Sequence, residues 1–158
     1  MLTGALASSY YGRPRTTLDI DVVVRVTEEH LAQLATALTS ADLKAKDENL
    51  RKAWRAEYRI ITIEDEKSPH TLDIILTDET LERKVGSILG LRTFYQIPES
   101  LILAKLRMIK VTLQPERVAT DREDIKAILA SSRLRLAILR QRAKSQGTYE
   151  ILEDLMRK

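Results

Sequence analysis

The sequence predicts an α+β (mixed α/β) protein, a mixed β-sheet with flanking helices followed by a helical C-terminal tail. Three observations carry this expectation. Residues 20–26, 58–63 and 71–76 are apolar runs rich in β-branched side chains, the composition of strands. From Pro98 onward the apolar residues recur only at helical spacing. The charge divides at the same place. Residues 1–100 carry 13 basic and 16 acidic groups, whereas residues 101–158 carry 13 and 7. The expected organisation is an α/β core over residues 1–97 and a helical extension over residues 98–158, packed on the core as a single compact unit.

The elements follow in order. Residues 1–11 are rich in small residues and read as a short helix, ended by Gly12-Arg13-Pro14. Residues 20–26 are nearly continuous in apolar side chains, which predicts a central strand. Thr27 is the expected N-cap of a helix whose first turn holds Glu28 and Glu29 and whose apolar stripe is Leu31, Leu34, Ala35 and Leu38. Residues 58–63 and 71–76, joined by the polar stretch 64–69, read as an antiparallel hairpin. A short helix or turn is expected over residues 78–84, and a last short strand over 91–95. Pro98 suits a first helical turn. Thr120-Asp121-Arg122-Glu123 has the form of a capping box ahead of Ile125, Ile128 and Leu129. Two more helices are expected over residues 134–143 and 149–156, separated near Gly147.

Composition removes several chemistries. The 158 residues contain no Cys and two His, so a disulfide framework, a thiolate metal site or a cysteine nucleophile has no material. No apolar run approaches the length of a membrane span, and no basic-then-apolar leader is evident, so a cytoplasmic protein without a membrane partner is expected. His30 and His70 have no partner at ligand spacing. Trp54, among Arg51, Lys52 and Arg55, reads either as a base-stacking platform or as a core or interface aromatic.

The carboxylates remain. Asp19 and Asp21 lie on one face of the first strand, because successive strand side chains alternate. Adjacent like charges repel, and a hard divalent cation such as Mg²⁺ or Mn²⁺ removes that cost. Asp73 sits inside another β-run between Leu72 and Ile74. An acid there needs a partner. Three carboxylates on neighbouring strands suit metal-assisted phosphoryl or nucleotidyl transfer. Each also has a purely structural reading: a turn hydrogen bond for Asp19, an ion pair with Arg15 or Arg25 for Asp21, and an edge-strand position in solvent for Asp73.

Gly4-Ala5, then Gly12-x-x-Arg15-x-Thr17, then Asp19-Ile20-Asp21 resemble the opening of the nucleotidyltransferase fold in its minimal, AbiEii-like branch. Residues 98–106 and Arg122-Glu123-Asp124-Ile125 are similar to that branch's helical tail. The resemblance covers residues 4–130. It implies that Asp19, Asp21 and Asp73 are the catalytic metal ligands, with Mg²⁺ or Mn²⁺ as the cofactor and a nucleoside triphosphate (NTP) as donor. It also implies that the Gly4 backbone approaches the triphosphate. Arg15 would neutralise phosphate charge, or form an ion pair with Asp19 or Asp21. Ser8 or Ser9 would supply the hydroxyl that Ala5 lacks, or Ser8 would simply pack. Lys105 would reach a phosphate or an acid, or lie along the surface. The activity implied is transfer of a nucleoside monophosphate to an acceptor hydroxyl, on RNA or protein, in a toxin–antitoxin or defence setting. A homodimer or a partner protein fits the same setting. Because Gly4-Ala5 stands where the family has Gly-Ser, a catalytically inactive module of the same fold, antitoxin-like or RNA-binding, is the alternative.

Overall fold

The computed structural model describes residues 1–65 and 68–157. It is a mixed α+β chain in two compact units, residues 1–6 with 16–95 and residues 7–15 with 96–158. Helix α1 (Gly4–Tyr11) begins in the first unit and continues into the second.

In the first unit, β1 (Asp19–Arg25), β2 (Ile60–Glu64) and β3 (Thr71–Thr77) form a sheet of order β1–β3–β2. β3 pairs antiparallel with β2, as the hairpin reading expects, and parallel with β1. The central strand is therefore β3, where the sequence pattern pointed to residues 20–26. The apolar run of β1 has another cause: its outer edge is also covered by chain. Val23 exchanges hydrogen bonds with Met1, and the Thr3 N–H donates to the Asp21 carbonyl at 3.0 Å. Of the polar stretch read as the hairpin turn, Glu66 and Lys67 lie outside the described residues. At its ends the Ser68 hydroxyl donates to the Asp65 carboxylate at 2.6 Å.

One face of this sheet carries Val22, Val24, Ile61, Ile63, Leu72, Ile74 and Leu76 and packs on α2 (Leu31–Ser40) and α3 (Asp47–Arg55). Leu31 and Leu50 are fully buried there, each stabilising the unit by about 1.5–3 kcal/mol. The turn before α2 differs from expectation. Glu28–His30 form one 3-10 turn, and the Thr27 hydroxyl pairs with His30 Nδ1 at 2.7 Å instead of capping a backbone N–H. Sequence reading missed α3, whose nine residues offer only Leu50, Ala53 and Trp54 to the core. Its charges nevertheless fit a helix, with Asp47 and Glu48 in the first turn, Lys52 and Arg55 in the last, and an Arg51–Asp47 pair at 2.8 Å.

Of the two readings of residues 78–84, a short helix or a turn, the helix does not form. The Thr77 hydroxyl accepts the Glu79 N–H at 3.1 Å, which ends β3 in a turn. Arg83 then opens β4 (Arg83–Ile88), which pairs with β5 (Leu91–Gln96). Leu89 and Gly90 between them have φ of 50° and 80°. Positive φ at both positions is the backbone of a two-residue hairpin turn. Leu2 ties this hairpin to the outer edge of β1, pairing with Val22 on one side and Tyr95 on the other.

The second unit holds α4 (Pro98–Val111), α5 (Pro115–Ser131), α6 (Leu136–Ser145) and α7 (Tyr149–Arg157). α4 contacts α5 and α6, and α7 contacts the same two, so the four close a ring. Its buried side chains include Leu101, Ile102, Leu106, Ile125, Ile128, Leu139 and Leu152. The capping-box expectation at Thr120 is corrected here. α5 starts five residues earlier, at Pro115, and the Thr120 hydroxyl bonds back to the Glu116 carbonyl within the helix. Among the described residues no helix is long and apolar enough to cross a membrane.

Candidate functional site

The core face of the first sheet takes Val22, Leu72 and Ile63, so alternation sends Asp19, Asp21, Asp73 and Thr62 to the opposite face. Register then aligns them. Asp21 is opposite Asp73 and Asp19 opposite Thr71 across the parallel pair. Thr62 is opposite Asp73 and Glu64 opposite Thr71 across the antiparallel pair. The face thus has two rows, Asp21–Asp73–Thr62 and Asp19–Thr71–Glu64, with neighbouring strands about 4.8 Å apart.

Hydroxyls hold two of the acids. Thr62 Oγ1 donates to Asp73 Oδ1 at 2.5 Å, and Thr71 Oγ1 donates to Asp19 Oδ1 at 2.8 Å. Thr17 Oγ1 accepts the Asp19 N–H at 3.2 Å and fixes the entry into β1. His70 Nδ1 lies 3.1 Å from the Leu18 carbonyl, a structural contact at the same sheet end. Asp21 faces Gly4. A Cβ built on Gly4 would lie 2.0 Å from Asp21 Oδ2, and Gly4 has a φ of +55°. Both the backbone conformation and the close approach therefore require glycine at position 4. The first residue of α1 meets a carboxylate there, which suits the positive end of a helix dipole.

Among the described residues no three carboxylate or imidazole side chains converge to hold a metal ion. The donor chemistry of the face still fits a hard cation. It offers carboxylate and hydroxyl oxygens, and Asp73 and Asp19 are engaged by neutral hydroxyls.

The remaining predicted residues lie in the second unit. Ser8 is buried, and its carbonyl accepts the Gly12 N–H at 2.8 Å. Arg15 forms an ion pair with Asp124 at 3.3 Å. Lys105 is buried, not extended along the surface. Its Nζ lies 2.7 Å from Asp121 Oδ1 and 2.8 Å from Asp124 Oδ2. Asp124 therefore bridges Lys105 and Arg15.

No protein-family model matches this chain, and no curated protein matches it. The residues themselves carry the functional reading.

Sequence reading missed four participants. Thr62, Thr71 and Glu64 share the acidic face, and the signal was present, since each lies an even number of residues from an acid-facing position on its own strand. Asp121 was assigned to a cap, although its spacing from Asp124 is the i, i+3 of one helix face. Trp54 packs partly against the core, with the Arg59 guanidinium 4.2 Å from its ring centroid, which fits the structural reading of that residue.

Proposed function

We propose that the protein is a metal-dependent nucleotidyltransferase that moves a nucleoside monophosphate from a nucleoside triphosphate to an acceptor hydroxyl. The observation that supports this best is the register of β1 and β3, which sets Asp21 directly across from Asp73 with Asp19 on the same face. Asp19, Asp21 and Asp73 are the residues that would hold Mg²⁺ or Mn²⁺. The chemistry such a cation would supply there is screening of the donor's phosphate charge and polarisation of the phosphorus under attack.

The chain's own groups have separate tasks. Asp73, half-buried and hydrogen-bonded by the Thr62 hydroxyl, would accept the acceptor's proton. Thr71 orients Asp19. The acceptor is a hydroxyl of RNA or protein, and the toxin–antitoxin or defence setting remains part of the proposal. The nucleotidyltransferase fold itself is proposed on the same ground, together with the Gly4, Gly12-x-x-Arg15-x-Thr17 and Asp19-x-Asp21 spacing.

The test is incubation of the purified chain with each α-labelled nucleoside triphosphate, Mg²⁺ or Mn²⁺, and total cellular RNA or protein. Label is expected in one acceptor fraction with wild type and in none with Asp21→Asn of unchanged circular dichroism. Equal labelling by wild type and Asp21→Asn would discard the proposal. So would the absence of label with all four donors.

A further inference from the structure

The β4–β5 hairpin has a surface that the carboxylate site does not use. Residues 83–96 contain Arg83, Lys84 and Arg92 and no acidic residue, within a hundred-residue stretch that is otherwise acidic. All three cations are exposed. The Arg83 guanidinium lies 4.1 Å from the centroid of the Phe94 ring, and the Arg92 guanidinium lies 5.8 Å from it. Among the described residues neither guanidinium forms an ion pair with a carboxylate. An arginine over an aromatic ring leaves N–H groups free to grip a phosphate, and the guanidinium–aromatic pair offers a π surface for a base. On the same face of β4 as Arg83 the apolar side chain of Val85 stands exposed, at 51% accessibility.

Orientation places this cluster on the acidic side of the sheet. Val22, Leu2 and Tyr95 are bridge partners, so they share one face, the face of the apolar core. Their neighbours Asp21 and Phe94 take the other, and Arg92 follows Phe94 by strand alternation. Anionic and cationic halves thus lie side by side on one surface of the first unit. The anionic half repels a polyanion, and the hairpin attracts it.

We infer that the Arg83–Phe94–Arg92 surface of the β4–β5 hairpin binds single-stranded nucleic acid, stacking a base on the guanidinium–aromatic pair and holding the flanking phosphates with Arg83 and Arg92. Charge complementarity selects the class of partner. The stacked pair selects a single strand over a duplex, whose bases are already stacked. The inference does not depend on the carboxylates holding a metal, and binding is measured without a triphosphate or a divalent ion.

The experiment is fluorescence anisotropy of the full chain with a labelled oligouridylate of about twelve nucleotides, in EDTA, over a salt series. Two phosphate contacts predict a slope of log K against log salt of about −1.4, falling towards zero in Arg83→Ala/Arg92→Ala. Phe94→Leu keeps the charge and the apolar volume and removes the ring. It is expected to weaken binding about tenfold with little change in slope. Each variant is first shown to melt with wild type. An oligonucleotide that fails to bind at low salt overturns the inference. So does binding that the double arginine variant leaves intact, or a matched RNA duplex that binds as tightly as the single strand. Self-association of the chain through this hairpin, seen as a dimer by sedimentation and abolished by Arg83→Ala/Arg92→Ala, would replace the inference with a protein interface.

Discussion

The open side of Gly4 is filled by the carboxylate of Asp21, so that a Cβ at position 4 would sit 2.0 Å from Oδ2 and 2.6 Å from Cγ. Two penalties are therefore superimposed at Gly4, one from the contact and one from its left-handed φ of +55°. Gly4→Ala is expected to destabilise the protein by about 2–4 kcal/mol in urea denaturation, the sum of about 1 kcal/mol for the backbone and the rest for displacing Asp21. Gly4→Ala/Asp21→Ala should recover the contact part and leave the backbone part. If the double variant is no more stable than the sum of the two single changes, the contact contributes nothing.

Asp21 and Asp73, opposite in register, repel each other whenever no cation lies between them. Asp73→Asn keeps an oxygen for the Thr62 hydroxyl and removes one of the charges. In EDTA it is expected to raise stability by up to about 1 kcal/mol. In Mg²⁺ the order should reverse, because wild type gains binding free energy that the variant loses. The check is thermal melting of both proteins in EDTA and in millimolar Mg²⁺. An equal Mg²⁺-induced shift in the two would remove Asp73 from the set of metal ligands.

The acidic face was legible in sequence because a strand's alternation needs no tertiary information: Asp19 and Asp21 share a face wherever β1 lies. That Asp73 would stand opposite Asp21 was not legible. It depends on which strand is central and in what register, and the apolar run of β1 pointed to the wrong one. Residues 1–3 covering the edge of β1 were invisible, since three residues carry no periodicity. Helix α3 was missed because six of its nine residues are charged or amide-bearing, and its burial rests chiefly on Leu50 and Ala53. The start of α5 was misplaced because two signals competed. Pro115 fixes the first turn at little cost, whereas Thr120 finds a partner inside the helix. The Lys105 cluster was half legible. Lys105 and Asp124 stood out, but their joint burial with Asp121 is a property of the packed helices.

Lys105 is the cation between two buried carboxylates, Asp121 and Asp124. Lys105→Met leaves both acids buried with one fewer positive charge, and such breaks cost about 3–5 kcal/mol. Adding Asp121→Asn should return part of that loss, because Arg15 remains 3.3 Å from Asp124 to neutralise it. Adding Arg15→Ala to the single variant should deepen the loss. Chemical denaturation of the four proteins measures each step. A Lys105→Met variant as stable as wild type would show that the buried ion pairs contribute no net stability.

Glu99 gives the cluster of helices a dependence on pH. Burial by itself pushes its carboxyl up, but hydrogen bonds from the Arg135 backbone N–H at 2.9 Å and its guanidinium at 3.2 Å, with its own backbone N–H, outweigh burial and hold it below the usual glutamate range. A carboxyl depressed in the folded state binds a proton more readily when unfolded. Its contribution to stability is therefore complete above the usual glutamate range and is lost as the pH falls through the lowered folded value. Glu99→Gln keeps an acceptor for Arg135 and removes the charge. The stability difference between wild type and Glu99→Gln should be constant from pH 6 to 8, then narrow steadily below about pH 4.5 as both states protonate. Urea denaturation at half-unit steps from pH 3 to 8 measures it. A difference that stays constant to pH 3 would mean that Arg135 does not stabilise the ionised form.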